Sequence, residues 1–194
     1  MPIEVKKRND KHEEALIRAC QRHDRLAQSE FFRLYSGKFL GIVYRFAGNY
    51  DTANDLLQEG FIRIFNHISD YKFQGSFEGW MRRIIINTSI NYIKQHGRMT
   101  FEEIDAERDV FISEPALAID KMDCEEIIEE INRLPNGFRT IMNLYAIEGY
   151  SYTEIAEMLE IKEVTVRTQY LRAKQKLAIA LEKKKIIHYA TKII

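Results

Sequence analysis

The sequence predicts an all-α protein: two small helical domains joined by an acidic linker. Three observations predict it. Only three prolines, Pro2, Pro115 and Pro135, interrupt 194 residues. Apolar residues recur at i, i+3, i+4 and i+7 rather than alternating. Between Met99 and about Pro115 that periodicity fades and acids accumulate. An apolar content of 45% beside 30% charged residues belongs to a folded chain rather than a disordered one. Each half is long enough to bury a core of its own.

Residues 1–28 read as an N-terminal extension and the start of the first helix. Phe31, Leu34, Tyr35, Phe39, Ile42, Val43 and Phe46 then form one amphipathic stripe that ends near Gly48-Asn49. A second helix is expected from Asp51 as N-cap, burying Leu56, Leu57, Phe61, Ile64, Phe65 and Ile68. The loop YKFQGS precedes a third helix carrying Trp80, Ile84, Ile85, Ile86, Ile90 and Ile93, whose pattern fails near Gly97. These elements make a first domain over 29–98, followed by a linker over 99–119. A second domain over 120–182 restarts near Asp120 and breaks at Leu134-Pro135-Asn136-Gly137, and 183–194 reads as a basic C-terminal tail.

Charge separates along the chain although 29 basic and 29 acidic residues cancel. Residues 1–98 hold 16 basic and 11 acidic side chains; 99–124 and 125–160 each hold 2 and 8; 161–194 hold 9 and 2. The last block suits a polyanionic partner, and the acidic middle repels one. The opening MPIEVKKRNDKHEE has no apolar stretch after its basic residues, which argues against a secretory signal. No later apolar run approaches the roughly 18 residues that span a bilayer. A cytoplasmic protein without membrane insertion is expected.

The chemistry of catalysis has no foothold. Cys20 and Cys124 stand far apart without a CxxC, so neither a metal site nor a disulfide framework is expected. His12, His23, His67, His96 and His188 are scattered, with no HExxH and no glycine-rich phosphate loop. The pairs Glu125-Glu126 and Glu129-Glu130 read as a solvated acidic face. The chain is therefore expected to be no enzyme, to need no cofactor or metal, and to bind no small-molecule substrate.

The stretch GYSYTEIAEMLEIKEVTVRTQYLRAKQKL, 149–177, carries the clearest signal. Ser151 and Glu154 form a capping box, with Tyr150 and Ile155 placed as a hydrophobic staple. Ile155, Ala156 and Leu159 give a short buried face, and a turn at Glu160-Ile161-Lys162 leads to a helix that buries Val166, Tyr170, Ala173 and Leu177. That is helix-turn-helix spacing. The opposite face presents Thr165, Arg167, Thr168, Leu171, Arg172 and Gln175, flanked by Lys174 and Lys176. Arginines bind guanine edges or phosphate, and Thr and Leu meet thymine methyls. DNA binding follows from motif and charge together.

Both domains together are more specific. The stretch DTANDLLQEGFIRIFNHISDYKFQGSFEGWMRRIIINTSINYIKQ (51–95), then an acidic linker, then INRLPNGFRTIMNLYAIEGYSYTEIAEMLEIKEVTVRTQYLRAKQKL (131–177), resembles bacterial RNA polymerase sigma factors of the extracytoplasmic-function type. The resemblance implies a sigma-2 helical bundle and a sigma-4 helix-turn-helix domain. It implies core RNA polymerase and promoter DNA as partners, often with an anti-sigma factor. Asp55, Gln58, Glu59 and Phe61 match the D-x-x-Q-E-x-F run that docks on core polymerase; on their spacing alone, Phe61 and Phe65 read as core. Tyr71, Trp80, Arg82, Arg83, Asn87 and Asn91 match the loop and helix that open and hold the minus-ten element, including a base flipped from the non-template strand. Trp80 reads equally as a core anchor. The recognition-helix positions imply contact with the minus-thirty-five element, and the linker is implied to cross the polymerase near its RNA exit path.

Three departures from that family's pattern stand out. Tyr71 and Phe73 stand where phenylalanine and then glycine are common, which bears on the base pocket. Glu160 replaces a turn glycine, which bears on the angle between the two helices. Gln169 replaces a common arginine, which bears on promoter preference. The rival reading is a dimeric helix-turn-helix regulator that binds operators without joining polymerase. The basic and amide residues between Trp80 and Asn91 argue against it.

Overall fold

The computed structural model describes residues 3–96 and 124–191. The acidic stretch 99–119, with Glu102, Glu103, Asp105, Glu107 and Asp109, lies outside the described residues, as do Gly97, Pro115, Asp120 and the last three residues. The described residues hold eight α-helices and no strand. The chain divides into two compact units, Met1–Ser89 and Ile90–Ile194. No helix among the described residues is long and apolar enough to cross a membrane.

The first unit begins with a helix that the periodicity did not announce, α1 (Ile3–Gln21). Its first half offers no apolar repeat, and among its described side chains Leu16, Ile17 and Cys20 are buried. The chain turns at His23, φ 60°, and Asp24 caps α2 (Arg25–Ala47) by accepting from the amides of Leu26 and Ala27 at 2.9 and 3.1 Å. Gly48, at φ 75°, closes α2 in the left-handed region, as the Gly48-Asn49 signal predicted. The next cap differs from expectation: Asn49 rather than Asp51 caps α3 (Tyr50–His67), its Oδ1 accepting from Thr52 N at 2.9 Å. Asp51 stands in the first turn, where its charge complements the helix dipole.

The core of this unit is aromatic. Phe31 lies within ring contact of Phe61, Phe65 and Phe77 at 6.3, 5.8 and 5.5 Å, and Phe39 meets Phe61 at 6.1 Å. The edge-on angles of 66–73° are those that quadrupoles favour. Leu34, expected in this stripe, is 51% exposed and belongs to the surface. A short 3-10 turn, Ile68–Asp70, leads through the 71–76 loop into α4 (Phe77–Gln95). Gly60 lets α3 and α4 approach closely, since a Cβ there would lie 2.4 Å from Ile85 Cδ1.

The second unit is built on α5 (Cys124–Arg133), α6 (Asn136–Met142), α7 (Tyr152–Leu159) and α8 (Glu163–Thr191). The predicted break at Pro135 is real, and a buried arginine seals it. Arg139 Nη1 donates to the carbonyl of Asn132 at 2.9 Å and Nη2 to Asn136 Oδ1 at 2.6 Å. A π-helical turn, Asn143–Ile147, follows α6 and ends at Gly149, φ 79°. Ile131, Leu134, Phe138, Met142, Ala173, Leu177 and Leu181 form the core. Lys184 reaches Glu129 and Glu130 at 3.4 and 3.3 Å. The backbone of 183–191, read as a tail, thus continues α8 as helix.

Candidate nucleic-acid interface

The loop and α4, whose residues from Ile90 on fall in the second unit, form one candidate surface. The loop is tight: Phe73 (φ 57°) and Gly75 (φ 77°) both take left-handed backbone, which is strained for phenylalanine. Tyr71 holds it from within, its hydroxyl donating to the Gly75 carbonyl at 2.9 Å. Tyr71 is 7% exposed, so it offers a ring to the site and no free hydroxyl, a correction to its reading as an open DNA contact. Burial raises its phenol pKa. Ser76 starts α4, its Oγ accepting from Gly79 N at 3.2 Å. Trp80 is half-buried and stacks on Phe77 at 5.6 Å and 15°, so it anchors the loop while keeping one part open.

Further along α4, Arg83, Asn87 and Asn91 are all exposed at i, i+4 and i+8. They line one stripe, opposite buried Met81 and Ile85. Arg82 is half-buried and lies 3.7 Å from Glu78, to one side of that stripe. The stripe combines a cation with two amides able to donate and accept, the equipment for following a backbone and holding a base edge.

On α3, Asp55 and Gln58 are exposed and Glu59 is half-buried. Glu59 Oε1 takes two bonds from Arg63, at 3.0 and 2.6 Å. Phe61 does not share this surface: it is 2% exposed and sits in the aromatic core, so it supports the face from below. Sequence reasoning missed the apolar part. Ile62 is 60% exposed one turn beyond Gln58 and Glu59, and Phe32, 37% exposed, packs its ring 4.7 Å from Phe61. An isoleucine in an otherwise polar stripe was the signal.

In the second unit the capping box forms in full: Ser151 Oγ accepts from Glu154 N at 3.2 Å, and Glu154 Oε2 accepts from Ser151 N at 2.8 Å. Glu160 takes the glycine-like turn position at φ 59°, which costs about 1 kcal/mol in a residue with a Cβ. The turn is thereby kept despite the missing glycine. Thr153 Oγ1 donates to Glu163 Oε2 at 2.9 Å and ties α7 to the start of α8.

Along α8, Arg167 is exposed, and Thr165, Leu171, Arg172 and Gln175 are half-buried. The Arg167 guanidinium lies 5.5 Å over the ring of Tyr152, which stacks on Tyr145 at 4.4 Å and 12°. Tyr170 closes the cluster 4.6 Å from Tyr145. This platform restrains the arginine before it meets a ligand. Burial, then the Tyr145 contact, raises the Tyr152 pKa, so its phenol stays neutral. Two expectations change. Thr168 is 9% exposed and its hydroxyl donates to the Val164 carbonyl at 3.0 Å, the usual bond of a mid-helix threonine, so it is not on the open face. Gln169 is 1% exposed, so its departure from arginine concerns packing rather than direct base contact. Val164, 58% exposed one turn before Arg167, was passed over because it precedes the periodic run.

The residues that carry these two surfaces fall within matches to two models of one family. The Sigma-70 region 2 model covers residues 31–99 and the Sigma-70 region 4 model covers 124–177, together well over half of the chain. The chain belongs to the sigma-70 family. It is an RNA polymerase sigma factor of the extracytoplasmic-function group, acting in transcription initiation. It is 29% identical over 182 residues to the RNA polymerase sigma-H factor of Pseudomonas aeruginosa, covering 88% of this chain and 94% of that one. It is 33% identical over 158 residues to the extracytoplasmic-function factor SigE of Mycolicibacterium smegmatis, covering 79% of this chain and 61% of the relative. Among solved structures, the sigma factor RpoE of Bartonella quintana, crystallised with the anti-sigma factor NepR, shares the fold at a TM-score of 0.51 and 17% identity, over 79% of this chain and 96% of that chain. The sigma factor's candidate surfaces thus fall inside the matched regions, while α1 lies wholly outside them.

Proposed function

We propose that this sigma factor reads a promoter in two physical states with its two units. The α8 face, centred on Arg167 with Thr165, Leu171, Arg172 and Gln175, enters the major groove of duplex minus-thirty-five DNA. The 71–76 loop with Trp80, Arg83, Asn87 and Asn91 captures the unpaired minus-ten strand and holds one unstacked base. Asp55, Gln58 and Glu59, joined by Ile62, dock on core polymerase. The domains act over 29–98 and 120–182, with the acidic 99–119 linker between them discouraging stray nucleic-acid contact.

The observation that carries this reading is the contrast in chemistry. Arg83, Asn87 and Asn91 share one open stripe next to an aromatic loop, whereas Arg167 is restrained on a helix suited to a groove. The protein would work in the cytoplasm, add no catalytic group of its own to the polymerase, and leave after initiation. By analogy with the Bartonella quintana factor's complex, an anti-sigma factor is a further partner.

Run-off transcription tests the reading, using bacterial core polymerase with and without the protein on promoter fragments from its own genome. Discrete transcripts that need the protein support it. Absent transcripts and absent core binding, with dimeric binding to an operator duplex, overturn it.

A further inference from the structure

Val164, the second residue of α8, is 58% exposed, whereas Val166 and Ala173 of the same helix are fully buried. At about 100° per residue, Val164 stands within about 20° of Leu171 and Gln175, about 60° from Arg167, and on the side opposite Val166 and Ala173. It is therefore the head of the open α8 face, one turn before Arg167. The turn that carries it is fixed on both sides. Glu160 sets the entry at φ 59°, the amides of Thr165 and Val166 donate to the Lys162 carbonyl at 2.9 and 3.2 Å, and Thr153 Oγ1 donates to Glu163 Oε2 at 2.9 Å. A side chain on such a turn keeps its direction when a ligand arrives.

Valine brings two methyl groups and neither a donor nor an acceptor, so it adds nothing to a phosphate or to a polar base edge. What it matches in a major groove is the C5-methyl of thymine. Single exposed apolar side chains are ordinary on a protein surface. This one stands in line with Leu171, in the first turn of a helix of the kind whose N-terminal residues meet base edges. Packing does not account for a valine so open to solvent, and helix propensity does not either, because a β-branched residue forms helix less readily than alanine.

We propose that Val164 is a specificity-determining residue that selects thymine, through its C5-methyl, at one position of the minus-thirty-five element. The proposal rests on the reading that the α8 face enters the major groove there. Glu163, tied to Thr153, holds the turn from which Val164 projects.

The test uses holoenzyme assembled from core polymerase and the full chain, titrated with fluorescent duplexes carrying the minus-thirty-five element of a promoter found by run-off transcription. Each thymine, on either strand, is replaced in turn by deoxyuridine, which removes the methyl group alone. At one position the natural protein should bind the thymine duplex roughly four-fold more tightly, as burial of one methyl group yields. Val164→Ala should bring that ratio to about one and leave the ratios at other thymines as they were, while Val164→Ile, which keeps an apolar branch, should retain it. Alanine is the better helix former, so a merely structural role for Val164 predicts no loss. Arg167→Ala should weaken the thymine and deoxyuridine duplexes alike. Ratios in Val164→Ala equal to those of the natural protein, or a natural protein indifferent to every replacement, overturn the proposal; with duplex binding weakened by Arg167→Ala, groove reading still stands. Duplex binding that Arg167→Ala leaves unchanged overturns groove entry and the proposal together.

Discussion

The two candidate DNA-reading surfaces are made in opposite ways. The second unit puts its chemistry on one helix whose start is fixed within a few residues, by Ser151, Glu154 and the Thr153–Glu163 bond. The first unit carries a strained loop braced by a helix roughly fifty residues earlier in the chain, through Gln21 and Arg18. A duplex offers a regular groove, and a regular helix suits it. An unstacked base has no fixed frame, and a loop braced from outside can be shaped around it.

The widest separation between the surfaces should come from Arg167→Ala. Loss of a restrained guanidinium at a base edge should cost about 1–3 kcal/mol in binding a minus-thirty-five duplex, with strand capture unchanged. Anisotropy titration on the two DNA fragments checks it, and an equal loss on both would merge what is here kept apart. Next, Trp80→Ala should destabilise the first unit by about 2 kcal/mol, below the full cost of truncating a wholly buried ring because Trp80 is half-buried. A urea melt reads this. Strand binding lost at unchanged stability would leave Trp80 a strand contact and no anchor.

Smaller is the capping box. Ser151→Ala removes the acceptor for Glu154 N and should cost about 1 kcal/mol in the second unit alone, seen as hydrogen exchange in α7 that speeds up while α3 is unaffected. The last effect shows only at high pH and concerns Cys20, whose thiol pKa is pushed up to about 11 by burial first, then by Asp24 and Glu30. The fold favours the protonated thiol, so its contribution is intact below pH 9.0, the unperturbed value, and is lost as pH climbs toward about 11. The melting temperature should decline over that window in the first unit, and Cys20→Ala should flatten part of the decline.

The sequence was most legible where periodicity speaks. The α2 to α4 stripes, the break at Pro135, the capping box and the open position of Arg167 follow from residue spacing. Arg83, Asn87 and Asn91 came from the family resemblance, and their four-residue spacing accounts for the single stripe they form on α4. What escaped lacks such a repeat. The first half of helix α1 shows no apolar repeat in the sequence, so nothing in its pattern announces a helix. Asn49 and Asp51 are both competent caps, and only the local backbone chooses between them. Thr168 lies at a position that spacing calls open, yet its hydroxyl turns back to Val164, and Tyr71 spends its own on Gly75. The bracing of the loop by Gln21 and Arg18 joins segments that no local pattern connects.

The central claim is that one chain reads duplex and single strand with separate surfaces. Its most direct test pairs Asn87→Ala with Arg167→Ala in holoenzyme and measures each on a minus-thirty-five duplex and on a minus-ten single strand. The account predicts crossed losses: Asn87→Ala weakens the strand by roughly ten-fold and spares the duplex, while Arg167→Ala does the reverse. Parallel losses on both fragments, or none on either, would contradict it.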